Sequence, residues 1–143
     1  MPALPPRITF VTLACRDVER MASFFCELGW PEAPSSEPVH RVFQCSNGVV
    51  LGLYGAENYE QALGPMAEGF RGFTLAVNLE SRDEVDAAYE RLRAIEGAAL
   101  DEEPQDMPWG GRGFSFRDPE RNLWDVVWAE GTTFDERGGL RFP

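Results

Sequence analysis

The chain has 143 residues, which is enough for one domain with a core of its own. Its formal net charge of −11 argues against nucleic acid and anionic membrane surfaces as partners, because both require concentrated lysine and arginine. Hydrophobic content of 43% and charged content of 26% are typical of a soluble globular protein, and no apolar run reaches membrane-spanning length.

The first ten residues, MPALPPRITF, lack a basic segment followed by a long apolar stretch, so no signal peptide is expected. The three cysteines (Cys15, Cys26 and Cys45) are an odd number and form no CxxC motif. This pattern is typical of reduced thiols, and we expect a cytoplasmic protein.

The segment from Ile8 to Cys15, ITFVTLAC, is rich in β-branched and apolar residues and is predicted to form a strand. A helix is predicted after it, because Asp17 can cap the first turn and Gly29 can end the last one. Between them, apolar residues recur at helical spacing (Val18, Met21, Phe24, Phe25 and Leu28). The proline-rich stretch that follows, WPEAPSSEP, allows at most a short edge strand.

Asn47-Gly48 lies between two apolar segments and indicates a hairpin with a two-residue loop. Such a loop predicts three cross-strand pairs: Arg41 with Tyr54, Phe43 with Gly52, and Cys45 with Val50. These side chains would lie on the face of the sheet away from the helix. The chain's single histidine, His40, would lie on the helix-covered face.

The second half repeats this order. GFTLAV (residues 72–77) repeats the Thr-Leu-Ala of the first strand, and SRDE (residues 81–84) is a capping box that opens a helix. Residues 98–102 are predicted to form a short strand. GRGFSFR and LWDVVWA (residues 111–117 and 123–129) are predicted to be two strands joined by a five-residue loop.

Strand, helix and three strands therefore occur twice, and each half is too small to hold much of a core alone. We predict an α+β fold of two paired βαβββ modules, whose curved mixed sheet surrounds a shared cleft. A single domain would span residues 1–143, with modules at 7–54 and 71–130 and a linker at 55–70. The tail, residues 131–143, carries no motif and is expected to be disordered or to lie along a partner chain.

This order and its internal repeat resemble the vicinal oxygen chelate superfamily, which includes glyoxalase I, extradiol dioxygenases, and fosfomycin and bleomycin resistance proteins. The resemblance covers residues 7–130 and is carried by ITFVTLACRDVERMASFFCELGW, GVVLGLY, GFTLAVNLESRDEVDAAYERL and WGGRGFSFRDPERNLWDVVWA. The last segment is the most specific, since an aspartate-proline turn precedes a strand with an acid, and it is similar to the glyoxalase-related branch. A fold does not determine chemistry, so function has to be argued from the site.

The resemblance implies a metal site with one ligand from each of four strands. Phe10, Gly72, Gly52 and Asp125 occupy those four positions here, so a single carboxylate remains. A zinc, nickel or iron(II) site needs about three protein ligands, mostly histidine and carboxylate. We therefore expect no cofactor, while a divalent metal held by carboxylates alone, such as Mg²⁺ or Mn²⁺, stays an alternative.

Asp125 is predicted to face the cleft together with Leu123 and Val127, while both tryptophans of LWDVVWA face the core. Burial among apolar neighbours would raise the pKa of this carboxyl and suit it to proton transfer. The five-residue loop would place Ser115 opposite Asp125, where the hydroxyl could satisfy the carboxylate. A role in catalysis or ligand binding and a purely structural role both fit this pattern. Ser115 has no histidine partner, which argues against a serine nucleophile.

Other side chains are candidates for ligand contact in the cleft. Phe10 fits either a stacking wall or core filling, and Phe43 could cover Gly52 without any ligand. Arg41 could bind an anionic group or stack on Tyr54.

MPWGGRG (residues 107–113) is predicted to be a mobile loop carrying an aromatic residue, because Trp109 precedes two glycines. In the resembled fold this loop lies at the cleft mouth, which fits Trp109 as a lid over a small molecule. Packing that holds the loop down is the structural alternative.

Two functions follow from these features. The first is a metal-independent binding protein, similar to bleomycin resistance proteins, that holds a cationic or aromatic small molecule; its cleft is lined by Phe10, Phe43, Tyr54, Trp109 and Asp125. The second is a glyoxalase-like lyase, isomerase or dioxygenase that uses Asp125 as acid-base, with or without a divalent metal. The resemblance also implies a homodimer, with the cleft closed within one chain or across two.

Overall fold

Residues 2–143 are described by a computed structural model, with three helices and ten strands in this part of the chain. The helices are α1 (Val18–Glu27), α2 (Ala56–Leu63) and α3 (Arg82–Arg93). The first half has strands β1 (Phe10–Cys15), β2 (His40–Gln44) and β3 (Val50–Gly55). The second half has strands β4 (Leu75–Asn78), β5 (Ala99–Leu100), β6 (Gln105–Met107), β7 (Gly111–Arg117), β8 (Leu123–Ala129), β9 (Thr133–Phe134) and β10 (Leu140–Arg141).

The strands of each half form their own sheet. The first sheet has the order β1-β3-β2, and the second has the order β4-β8-β7-β5, with β6 paired to β7. In both sheets the first strand runs parallel to its neighbour and the remaining pairs are antiparallel. A bridge from Glu32 to Phe43 supplies the short edge strand predicted in the proline-rich stretch. The predicted α+β class is confirmed, as two βαβββ modules with open, curved sheets of mixed strand direction.

Both sheets turn their helix-covered faces to one core. Phe25 of α1 lies between them, because its ring centroid is 5.7 Å from Phe43 of β2 and 5.7 Å from Trp124 of β8. The neighbouring ring of Phe24 is 6.1 Å from Phe116 of β7, and α3 contributes to the same buried cluster. Alternate side chains of a strand point to opposite faces. Each sheet therefore keeps an open face that is directed away from the shared core.

The predicted helix caps are confirmed. The Asp17 carboxylate accepts a hydrogen bond from the Arg20 amide at 3.0 Å, and Ser81 Oγ accepts one from the Glu84 amide at 3.2 Å. The Glu84 carboxylate reaches back to the Glu80 amide at 2.7 Å, one residue before the cap. These bonds satisfy amides that have no partner within the helix.

The first-half hairpin has a three-residue loop, so the predicted register is wrong by one residue. The Cys45 amide donates to the Val49 carbonyl at 3.0 Å, and Gly48 ends the loop with φ +98°. A three-residue loop with a left-handed residue is a common hairpin connection. The observed pairs are His40–Tyr54, Arg41–Leu53, Val42–Gly52, Phe43–Leu51 and Gln44–Val50. A shift by one residue moves every side chain to the other face, which places His40 on the open face and Arg41 and Phe43 on the helix-covered face.

In the second half, β7 and β8 have the predicted bounds, and Ser115 lies opposite Asp125 as predicted. Within the segment 107–113, only residues 108–110 form a turn, because Met107 ends β6 and Gly111 begins β7. The Gly110 amide donates to the Met107 carbonyl at 3.1 Å. In the tail, β9 and β10 pair with each other, which contradicts the disordered alternative. The alternative that the tail lies along a partner chain stays a prediction.

The linker at 55–70 contains α2. Across residues 2–143, none of the helices combines the length and apolar character that crossing a bilayer requires.

Candidate functional site

On the open face of the first sheet, the ring of Phe10 lies against Gly52. A Cβ atom on Gly52 would come within 2.6 Å of Phe10 Cε1, closer than real contacts, and within 3.2 Å of His40 Nε2, which is a tight contact. Glycine at this position is therefore what lets both rings approach β3. Phe10 is 46% exposed, so its ring can also contact a ligand.

Aromatic side chains continue from Phe10 across this face, and we call the set of four the aromatic row (Phe10, His40, Tyr54 and Tyr59). The ring centroids are 6.3 Å apart for Phe10 and His40, and 5.1 Å apart for His40 and Tyr54. Tyr54 and Tyr59 are 5.6 Å apart. The last two pairs meet edge to face, the arrangement that ring quadrupoles favour. Tyr59 was not predicted, because it lies on α2 and no regular spacing links it to Tyr54 on β3.

Arg41 and Phe43 are not available to a ligand on this open face. The Arg41 guanidinium forms an ion pair with Glu32, in which Nη2 donates to Oε1 at 2.9 Å and Nε donates to Oε2. That hydrogen bonding holds the pKa of the Glu32 carboxyl below its usual range. Phe43 is fully buried against Phe25. The predicted placement of Arg41 and Phe43 on the ligand-facing side of the sheet is therefore wrong, because it depended on the hairpin register.

On the open face of the second sheet, Ser115 Oγ donates a hydrogen bond to Asp125 Oδ1 at 2.6 Å. Asp125 is partly exposed and Ser115 is exposed, so the burial expected for this carboxylate is not found. Within residues 2–143, Asp125 Oδ2 accepts no hydrogen bond. The pair thus presents one carboxylate oxygen that a ligand amine or hydroxyl can reach.

An open pocket lies beside Ser115 along β7. Its floor includes Gly113 and Ser115, and its walls include Met107 and Leu123 together with the acidic residues Asp101, Glu102 and Glu103. The pocket therefore combines apolar surface with a net negative charge, since Arg117 is its one basic lining residue.

Trp109 lies at the tip of the β6–β7 hairpin and is 61% exposed. Its ring covers Gly111, where a Cβ atom would come within 2.3 Å of Trp109 Cη2. The ring is thus held at the end of the second sheet's open face, and its role as a lid stays a prediction.

The four positions at which the resemblance implies metal ligands do not form a donor set. Phe10 and Gly52 contact each other, Gly72 has no side chain, and Asp125 alone carries a donor atom. Within residues 2–143, no group of three or more His, Cys, Asp or Glu side chains could hold a metal ion. The residues of one chain therefore do not fit the implied metal.

The turn that leads into β8 is organised by the buried carboxylate of Asp118, which is 2% exposed. It accepts hydrogen bonds from the amides of Glu120 and Asn122 at 2.9 and 3.0 Å, and from Trp124 Nε1 at 2.9 Å. Burial raises the pKa of Asp118, although these bonds act in the opposite direction. The network fixes the start of β8 and hence the position of Asp125.

Glu120 in the same turn joins the two modules. Its Oε1 and Oε2 accept hydrogen bonds from the amides of Arg16 and Asp17, each at 2.9 Å, where the chain enters α1. The aspartate-proline turn stands out in the sequence as the most specific part of the resemblance. Arg16 and Asp17 are more than a hundred positions away from Glu120, however, and the sequence alone could not identify them as its partners.

The family model of the Glyoxalase/Bleomycin resistance protein/Dioxygenase superfamily matches residues 7–126. Among solved structures, the chain is similar to a glyoxalase-related enzyme from Fulvimarina pelagi, with 26% identity over 96% of this chain and 98% of that one, and a TM-score of 0.82. It is also similar to a glyoxalase/bleomycin resistance protein/dioxygenase from Nocardioides, with 34% identity over 91% of this chain and 88% of that one, and a TM-score of 0.73.

A lactoylglutathione lyase from Agrobacterium tumefaciens is 19% identical over 87% of this chain and 94% of that one, with a TM-score of 0.66. At that identity the likeness shows the fold alone. No curated protein matches the chain.

Proposed function

This chain belongs to the Glyoxalase/Bleomycin resistance protein/Dioxygenase superfamily, and from that membership we propose that it is a metal-independent protein that binds a small aromatic molecule. The observation that carries the proposal is the aromatic row. It occupies the open face of the first sheet, where the resemblance implies two metal ligands at Phe10 and Gly52. A ligand would stack on these rings instead of coordinating a metal.

The scarcity of metal-ligating side chains at the implied positions supports a metal-independent function. A catalytic site for zinc or iron(II) needs about three nitrogen or oxygen ligands from the protein. Asp125 is the one carboxylate among the implied positions, and the single histidine stands in the aromatic row.

A homodimer would bring the two kinds of open face together. Both sheets turn their other faces to the same core, so their open faces point away from it. A second copy that lays the open face of its second sheet over the aromatic row would enclose a cleft. That cleft would hold Phe10, Tyr54, Trp109, Ser115 and Asp125, which are far apart along the chain.

The ligand of this cleft would be a planar cation. The chain has a net charge of −11, and the pocket beside Ser115 is walled by three acidic residues. Aromatic rings also attract cations through their faces. All three cysteines are free thiols, which supports a cytoplasmic location.

A second candidate function is favoured by the Ser115–Asp125 hydrogen bond. It orients a carboxylate on the open face, where Asp125 could act as acid-base in a glyoxalase-like lyase, isomerase or dioxygenase. Under this alternative a divalent metal would be completed by ligands from a second chain.

The first experiment is a thermal melt of the untagged protein with Ni²⁺, Zn²⁺, Mn²⁺, Fe²⁺ and Mg²⁺, with its metal content measured as purified. The second is calorimetric titration with proflavine, a planar aromatic cation, and with tetramethylammonium, a cation without a ring. We expect proflavine to bind and Phe10→Ala to weaken it, while Phe142→Ala, which removes an exposed ring from the tail, leaves it unchanged. A stoichiometric metal with stabilisation of several degrees, or equal proflavine binding by the Phe10→Ala variant, would contradict the proposal and favour the enzyme.

A further inference from the structure

Three arginines surround one pocket at the turn between β7 and β8. Arg71, Arg117 and Arg121 line a shallow depression on the surface. No carboxylate side chain is among its lining residues, which otherwise are Gly69, Phe70, Phe73, Asn122 and Leu123. All 13 basic residues of the chain are arginines, against 24 acidic ones, so a cluster of three without an acid is a local reversal of charge.

Two of these guanidinium groups have no partner in the described part of the chain. Within residues 2–143, neither Arg117 nor Arg121 forms an ion pair or a side-chain hydrogen bond. Arg112, five residues before Arg117 on the same strand, pairs with both Asp86 and Asp106. An anion bound in the depression would therefore meet two guanidinium groups that have no other partner within residues 2–143.

The third guanidinium is held in place. Arg71 Nη1 donates to Asn122 Oδ1 at 2.9 Å, and Arg71 Nε donates to the Ala67 carbonyl at 3.2 Å. Asn122 is in turn bound by the buried carboxylate of Asp118. The pocket therefore has a rigid wall and two arginines that are free to adjust.

Arg121, which lines this pocket, also has an uncommon backbone conformation. Its φ is +69°, the one positive value among the non-glycine residues 2–143. A long side chain in this region is uncommon, and such outliers occur at functional sites. The conformation is fixed by the turn, where the Arg121 amide donates to the Asp118 carbonyl at 2.8 Å.

Exposed phenyl rings border the same pocket. Phe70 is 71% exposed and Phe73 is 47% exposed, and both line the depression. Guanidinium groups bind carboxylate and phosphate through two parallel hydrogen bonds, and the rings provide apolar surface beside them. We propose that this pocket binds an organic anion, in which a carboxylate or phosphate group is attached to an aromatic ring.

This site goes beyond the proposed function and does not depend on it. It shares no residue with the aromatic row, and it selects the opposite charge. Arg117 and Leu123 also line the acidic pocket beside Ser115, so the two pockets adjoin along the open face of the second sheet.

The test is calorimetric titration of the full chain with phenyl phosphate, benzoate, inorganic phosphate and benzyl alcohol. The Arg117→Gln and Arg121→Gln variants remove charge without breaking a side-chain bond seen within residues 2–143. Arg20→Gln is the matched control, because Arg20 is an exposed arginine of α1 that forms no ion pair in the same part of the chain. We expect phenyl phosphate or benzoate to bind more tightly than inorganic phosphate, and benzyl alcohol not to bind. Each pocket variant should raise the Kd about tenfold, since a charge-assisted hydrogen bond contributes about that much.

Thermal melts of the variants confirm that they are folded before binding is compared. Tighter binding of phenyl phosphate would identify phosphate as the preferred group, and tighter binding of benzoate would identify carboxylate. The proposal is overturned if neither aromatic anion binds, or if Arg20→Gln weakens binding as much as the pocket variants do. Proflavine titrations of the same variants show whether the aromatic row binds its own ligand, whatever the result for the arginine pocket.

Discussion

Replacing Glu120 with alanine should lower the free energy of unfolding by about 3 kcal/mol, because this carboxylate joins the two modules. Glu120 is 8% exposed and accepts hydrogen bonds from the amides of Arg16 and Asp17, each at 2.9 Å. A hydrogen bond to a charged group contributes about 1.5–3 kcal/mol, so two of them give about 3–6 kcal/mol. Arg16 and Asp17 are exposed residues, and water can reach their amides in the variant. The lower end of the range therefore applies.

The assay is urea denaturation followed by tryptophan fluorescence. Glu120→Gln keeps one acceptor oxygen but turns an NH₂ donor toward the other backbone amide, so it should lose at least half as much free energy as Glu120→Ala. Glu96→Ala removes an exposed carboxylate that forms no side-chain hydrogen bond within residues 2–143, and should change stability by less than about 0.5 kcal/mol. Hydrogen exchange at the Arg16 and Asp17 amides should accelerate in Glu120→Ala. A loss no larger than that of the control would show that the apolar core alone holds the modules together.

The other predictions concern single side chains. Burial raises the pKa of the Cys15 thiol to about 12, so iodoacetamide at about pH 8 should modify exposed Cys26 and spare Cys15, as read by mass spectrometry. Folding raises the pKa of Cys15, so the contribution of this thiol to stability is complete below its ordinary pKa of 9.0 and is lost as the pH rises through about 12. The urea midpoint should therefore fall between pH 9.0 and about pH 12. Gly52→Ala should displace the exposed Phe10 ring at a cost below about 1 kcal/mol and weaken proflavine binding; unchanged binding would contradict the role of this contact. Arg41→Ala should leave proflavine binding unchanged in calorimetry, because this side chain lies on the helix-covered face, and weakened binding would place it in the site.

The hairpin shows where sequence reasoning stops. Asn47-Gly48 fits a two-residue loop and a three-residue loop equally well as local chemistry. The two differ in which face of β2 meets α1. The three-residue loop buries the ring of Phe43 against Phe25, whereas the other register would leave that ring on the open face. Burial of a large apolar side chain is a tertiary effect, and it decided the positions of His40 and Arg41 as well.

The β7–β8 pair shows the opposite case. The length of the turn between the strands and their alternating pattern are local, so the pairing of Ser115 with Asp125 could be predicted correctly. The partial exposure of Asp125 could not be predicted, because it depends on whether another part of the protein covers the open face of the second sheet. In this chain the open face of the second sheet is uncovered, and the carboxylate stays partly exposed.

By itself, the sequence determined the superfamily, the repeated order of elements, the helix caps and the scarcity of metal donors. These properties follow from which residues stand where along the chain. Only the tertiary structure decided that the aromatic row assembles over Gly52, that Glu120 reaches the start of α1, and that three arginines surround one pocket. Each group combines residues from separate segments of the chain, which come together through strand pairing within a sheet or, for Glu120, through the packing of the two modules on one core.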